Sequence, residues 1–166
     1  MQSKRKHVAI LIGSKSDLDL VQPAIETLKE LEIPHTVRIL SAHRLGEEAA
    51  QFASDAHTQG YKVLIAAAGK AAHLAGTLAS RTLLPVIGLP ISASLMGLDA
   101  LLSTVQMPSG YPVATVGIDG AVNAALLAAQ ILALHDPILE SSLHTYREAN
   151  QEKVRLADAE LQQSLT

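Results

Sequence analysis

The chain has no cysteine and no tryptophan, and its aromatic residues are one phenylalanine and three tyrosines among 166 positions. Without cysteine there can be no disulfide, no thiolate metal site and no cysteine nucleophile. So few rings leave no platform for stacking bases and no aromatic pair to flank a flavin. An excess of one charge is also missing: 13 Lys+Arg stand against 16 Asp+Glu, a formal net charge of -3. That balance argues against a nucleic-acid binder, whose footprint is a basic excess on one face. No apolar run reaches the roughly 18 residues of a membrane span. The longest, from Ala124 to Leu134, is broken by Gln130. The segment ahead of Gly13 is too short to be a signal-peptide core followed by a cleavage site. The expectation is a soluble, cytoplasmic protein with no membrane contact.

What is present is core material. Hydrophobic residues make up 48% and charged residues 17%, which suits one compact domain and excludes wholesale disorder. Residues 1–166 are read as a single domain, with a core over about 7–135 and a helical extension over about 137–166. Val8 to Ile12 is a continuous apolar run ending at Gly13, the mark of a strand buried on both faces. Thr36–Leu40, Lys62–Ala68, Pro85–Gly88 and Pro112–Ile118 are further strand candidates. Between them lie helical patterns: Leu18, Val21, Ile25, Leu28 and Leu31 at 3-4-3-3 spacing, a stretch from about Leu45 to Gln59 closed by Gly60, Ala71–Ser80, and Ser94–Ser103. A loop is expected at Met107–Gly110. Alternating strands and helices predict a parallel sheet with helices on both sides, a three-layer α/β/α, flavodoxin-like doubly wound fold.

The helix over 122–134 is apolar nearly all round. It is expected to be buried against another subunit, with a central core helix of the same subunit as the alternative. Ile138–Thr166 carries Leu139, Leu143 and Tyr146 on one stripe. It is expected to dock as an outer helix, on its own subunit or a neighbour, and then to fray.

Ligands of such sheets sit beyond the carboxyl ends of the strands, and three polar turns collect there. Gly13-Ser14-Lys15-Ser16-Asp17 joins a strand to a helix start, where free N–H groups and the helix dipole favour an anion such as phosphate. Capping of the helix by Ser16 or Asp17 explains the same residues. A carboxylate repels phosphate, so Asp17 suits a pair of sugar hydroxyls better. Ser41-Ala42-His43-Arg44 supplies a hydroxyl, a titratable base and a planar cation able to grip phosphate or carboxylate. His43 is open to three roles: acid/base, ligand orienter or loop hydrogen-bonder. Gly69-Lys70-Ala71-Ala72-His73-Leu74 leaves space for a planar ligand, with His73 reaching in from the first turn of a helix. A buried histidine bonded to backbone fits too.

Rival motifs fall away. Position 64 is Leu and position 71 is Ala, so Gly69-Lys70 is no Walker loop, and no Gly-x-Gly-x-x-Gly follows the first strand. His43 and His73 have only Asp17 as a nearby carboxylate, so no metal site is expected.

The five segments GSKSD (13–17), SAHR (41–44), AAHL (71–74), QMPSGYPVATV (106–116) and NAALLAAQIL (123–132), in this order, resemble the 5-(carboxyamino)imidazole ribonucleotide mutases of purine biosynthesis over about residues 7–150. The resemblance implies a flavodoxin-like α/β/α protein assembled as a homo-octamer with active sites at subunit boundaries. It implies an isomerase that moves a carboxylate from the exocyclic amine of an aminoimidazole ribonucleotide to the adjacent ring carbon, without metal or organic cofactor. By position, His43 and His73 are the catalytic histidines. Ser14, Asp17 and Arg44 are nucleotide-binding, joined by Ser16, Ser41, Gly69, Lys70, Ala72 and Leu74. The loop from Met107 to Pro112 resembles a segment lent to a neighbouring site. The related carboxylase branch, which uses free carbon dioxide, has Lys in place of Arg44 and Asn-Ala-Leu in place of 72–74. This chain follows the mutase pattern at both. It differs from the usual mutase residues at Lys70 (Gly), Ala75 (Pro) and Leu45-Gly46 (Thr-Pro). The alternatives are that carboxylase, a ribonucleotide-binding homologue of altered activity, and a flavodoxin-like redox carrier.

Overall fold

The computed structural model describes residues 7–165. The strands are β1 (Val8–Ile12), β2 (His35–Ile39), β3 (Val63–Gly69), β4 (Val86–Ile91) and β5 (Ala114–Thr115). All neighbours pair in parallel, in the order β2-β1-β3-β4-β5. The helices are α1 (Leu18–Glu30), α2 (Gly46–Asp55), α3 (Leu74–Ala79), α4 (Leu98–Val105), α5 (Ala121–Ala133) and α6 (Pro137–Leu165). This is the expected doubly wound, flavodoxin-like α/β/α architecture.

The strand pleat divides the core in two. Val8, Ile10 and Ile12 join Val63, Ile65 and Ala67 and the inward faces of α1 and α5. The alternate residues, Ala9, Leu11, Leu64 and Ala66, meet α2 and α3 on the other side. Every residue of β1 is buried, because a central parallel strand has helices against both faces. In register, Ile12 lies opposite Ile39 on one side and Ala67 on the other. The carboxyl ends of β2 and β1 are therefore level, and β3 runs two residues past them to Gly69. Gly13 N–H then donates to the Ala67 carbonyl at 3.0 Å, and Leu40 N–H to that of Ile12 at 3.0 Å. The sheet thus sets three turns side by side.

Several boundaries differ from the sequence reading, each for a local reason. α2 ends at Asp55 rather than near Gln59, and turns carry the chain to Gly60, whose φ of 93° only glycine adopts freely. β4 runs to Ile91, past Gly88 and through Pro90. Its partner β5 is only two residues long and ends opposite Gly88, so the missing Pro90 N–H costs that ladder nothing. The fifth strand is correspondingly far shorter than 112–118. The start of α4 is broken: Leu95, Met96 and Gly97 have φ of 43°, 55° and 81°, so regular helix begins only at Leu98.

α5 is covered largely within its own subunit. Ala124, Ala125, Ala128 and Ala129 are fully buried, and Leu126, Leu127, Ile131 and Leu132 pack partly on the same cluster, which includes α1 and Leu139 and Leu143 of α6. Of the two readings offered for this helix, the core-helix one describes the subunit. α6 does not fray before Leu165: it is one helix of 29 residues. It docks through Leu139 and Leu143, and every residue from Arg147 to Leu165 is exposed.

Candidate active site

The three turns close around one cavity of about 290 Å³. Ser14, Ser16 and Asp17 form its first side. Ser14 has extended backbone (φ -151°, ψ 154°), and its Oγ accepts the Ser16 N–H, capping a short 3-10 turn over Lys15–Asp17 that leads into α1. Ser14 thus caps the 3-10 turn, while Asp17 stands at the N-cap position of α1, as one of the two expected there, but makes no capping bond. The Ser16 hydroxyl lies 2.9 Å from Ser14 Oγ and 3.2 Å from Asp17 Oδ1. This holds the Asp17 carboxylate at the rim.

The second side is Ser41 to Arg44. The Ser41 hydroxyl is buried and accepts from Arg44 backbone N–H at 3.4 Å and from its Nε at 3.3 Å. Arg44 Nη2 donates to the Gly13 carbonyl at 2.9 Å. The guanidinium therefore ties the second turn to the first and is fixed in place before any ligand arrives. Charge-assisted donors anchored in this way lose little freedom on binding an anion.

The third side is Gly69 to Leu74. Lys70 has φ 56°, and the two tight backbone bonds that follow, Ala72 N–H to the Lys70 carbonyl at 2.9 Å and His73 N–H to that of Ala71 at 2.8 Å, swing the chain into α3. α3 begins at Leu74, three residues later than the sequence suggests, so His73 is the residue before the helix and not within its first turn. Its side chain makes no capping bond. It meets His43 instead: His43 Nε2 and His73 Nδ1 are 2.8 Å apart, with ring centroids at 4.8 Å and planes at 73°. Two residues thirty positions apart in the chain share one hydrogen bond.

Ser14, Ser16, Asp17, Ser41, His43, Arg44, Gly69, Lys70, His73 and Leu74 all line this cavity. Ala72, expected with them, does not. It is buried, 2% exposed, behind the cavity wall. The sequence reading missed Ala93, which closes the cavity from the turn after β4. A Cβ on Gly69 would stand 2.8 Å from Ala93 Cβ, so glycine there allows the two turns to touch. Asp119 Oδ1 accepts the Ser92 N–H at 2.9 Å and steadies that turn. The Ser94 hydroxyl donates to the Asp99 carboxylate. This bond, ahead of the smaller effects, holds the Asp99 pKa below its ordinary value. The signal for this fourth turn is Ser92-Ala93-Ser94, and ending β4 at Gly88 hid it.

Among the described residues, no group of three histidines, aspartates or glutamates is placed to hold a metal ion. Nor is any helix long and apolar enough to cross a membrane.

The family model described as AIR carboxylase matches residues 7–153. The chain belongs to the AIR carboxylase family. Among its curated relatives, the N5-carboxyaminoimidazole ribonucleotide mutase of Pyrococcus horikoshii is 50% identical over 155 residues, 93% of this chain and 88% of that protein. The protein of the same name from Escherichia coli K12 is 51% identical over 150 residues, 89% of each. AIR carboxylase family membership agrees with the fold. The crystal structure of Treponema denticola PurE superposes with a TM-score of 0.84 at 32% identity, covering 95% of this chain and 99% of that one. The chain is accordingly an enzyme, an isomerase of the mutase type.

Proposed function

We propose that the enzyme converts 5-(carboxyamino)imidazole ribonucleotide to 4-carboxy-5-aminoimidazole ribonucleotide, a step of purine biosynthesis, in the cytoplasm. The observation that carries the reading is the His43–His73 pair, 2.8 Å apart, in a cavity that also presents Arg44, Ser14 and Asp17. The chemistry needs these parts. A phosphate is taken by Arg44 and the N–H groups of the Ser14–Asp17 turn. Ribose hydroxyls donate to Asp17, and Ser16 and Ser41 hold these groups in position. Gly69, Lys70 and Leu74 surround the base, and Ala72 supports them from below.

The carbamate C–N bond breaks as the exocyclic nitrogen takes a proton, giving carbon dioxide and the aminoimidazole ribonucleotide. The ring carbon then attacks the carbon dioxide, forming the new C–C bond while still bearing its hydrogen. His43 removes that hydrogen as a proton and restores aromaticity. One proton enters at nitrogen and one leaves from carbon, so a histidine that gives and takes in turn balances the sequence. His73 orients His43 through the shared hydrogen bond. Nothing in this course calls on a metal or organic cofactor. The enzyme acts as a homo-octamer whose sites lie at subunit boundaries, each completed by the Met107–Pro112 loop of a neighbour.

The test is to supply the carboxyamino nucleotide and follow the carbon-carboxylated product. Wild type should turn it over, and His43→Asn should lose about 10²–10⁴-fold in rate. Turnover by His43→Asn at the wild-type rate would exclude the assigned chemistry. Turnover only from the uncarboxylated nucleotide with bicarbonate would instead make the enzyme a carboxylase.

A further inference from the structure

The cavity holds three formal charges, one carboxylate (Asp17) and two cations (Arg44 and Lys70). The two cations are not equivalent. Arg44 is bound to Ser41 Oγ and the Gly13 carbonyl, which fixes it on the side of β1 and β2. Lys70 stands on the opposite side, at the end of β3, three residues from His73. Its side chain forms no hydrogen bond or ion pair among the described residues, and the charge it acts on is that of Asp99. Its backbone is also unusual. At φ 56° it occupies a conformation that costs an L-residue and that glycine adopts freely. A lysine kept in such a place, lining a cavity with an ammonium that makes no hydrogen bond, is the kind of backbone outlier that accompanies function.

The nucleotide of the reaction proposed above carries two anionic groups, a phosphate and a carboxylate. One cation is anchored beside the Ser14–Asp17 turn, and the other lines the same cavity without a hydrogen bond. We propose that Lys70 is a specificity-determining residue that binds the substrate carboxylate, so that this enzyme separates carboxylated from uncarboxylated nucleotides more strongly than cavity shape alone would allow. The inference rests on the proposed function and adds to it the group that Lys70 recognises.

The experiment titrates the aminoimidazole ribonucleotide and its carbon-carboxylated product, separately, onto wild type, Lys70→Met and Lys70→Arg. Lys70→Met should weaken the carboxylated nucleotide about tenfold, the loss typical of a charged hydrogen bond, and leave the uncarboxylated one within about twofold. Lys70→Arg, which keeps the charge, should retain most of that difference. High salt should narrow the gap in wild type and leave it unchanged in Lys70→Met. Should Lys70→Met fold poorly, Lys70→Gly removes the ammonium while relaxing the backbone and reads the same difference. Equal losses for both nucleotides, or no loss for either, would overturn the inference while turnover by wild type left the proposed function standing. A wild type that binds neither nucleotide would overturn both.

Discussion

At the scale of single residues, two neighbours at the end of β3 reverse the usual logic of glycine. Gly69 needs no special dihedral; it is there because a Cβ would press on Ala93 at 2.8 Å and on the Ile91 carbonyl at 3.2 Å. Lys70 has room for its side chain but sits at φ 56°, where glycine would be more comfortable. The paired substitutions should therefore move stability in opposite directions. Gly69→Ala should lose about 1–3 kcal/mol through overpacking, and Lys70→Gly should gain about 1 kcal/mol by relief of the left-handed conformation. Urea denaturation of both variants beside wild type checks this, and a shift of the same sign in both would refute it. Because the Gly69 contact also seats Ala93 on the cavity wall, Gly69→Ala should bind nucleotide more weakly even in the folded fraction.

At the scale of elements, α6 is the piece whose sequence and surroundings disagree. Its 29 residues span about 44 Å, yet only its first part touches the rest of the subunit. Val154, Leu156, Leu161 and Leu165 are 70%, 56%, 54% and 73% exposed. A lone helical arm is marginal in water; in the assembly proposed above, this one lies on a neighbouring subunit. Deleting residues 151–166 should leave the sheet folded but lower the mass of the assembly in light scattering. An assembly of undiminished size would show that the arm carries no contact. The elements also show what could be read in advance. β1 and the alternation of strands and helices were legible because a strand buried on both faces writes an unbroken apolar run, and Val8–Ile12 does so. β4 and β5 were not: Gly88 and Pro90 resemble turn residues, and only the shortness of β5 explains why the ladder tolerates them. The site was legible where a turn directly follows a clear strand, as with Ser14, His43 and His73. Ala93 is hidden because Gly88 reads as the end of its strand, three residues before Ile91, and the burial of Ala72 leaves no mark in composition.

At the scale of the whole molecule, chemistry is concentrated at one end of the sheet, and exposed apolar residues lie both beside that end and away from it. Leu83 is fully exposed, and Leu95 and Met96 are 72% and 81% exposed. In the assembly proposed above, these patches meet other copies and the Met107–Pro112 loop reaches a neighbour's cavity. Intersubunit complementation tests this. Two inactive variants, His43→Asn and a loop deletion over 108–111, should regain activity when unfolded and refolded together, because about one site in four then combines an intact His43 with an intact borrowed loop. Mixtures that stay inactive would confine each site to its own chain.

The contact between the two imidazoles has a consequence for bookkeeping at the atomic level. A single hydrogen sits between His43 Nε2 and His73 Nδ1, so in the uncharged couple one ring donates and the other accepts. Whichever way it lies, the two outward-facing nitrogens are complementary: one offers a lone pair and the other an N–H. The couple is thus an acid and a base at the same moment. Each completed transfer through it reverses which ring plays which part, leaving it set for the opposite direction of reaction until the tautomers reset.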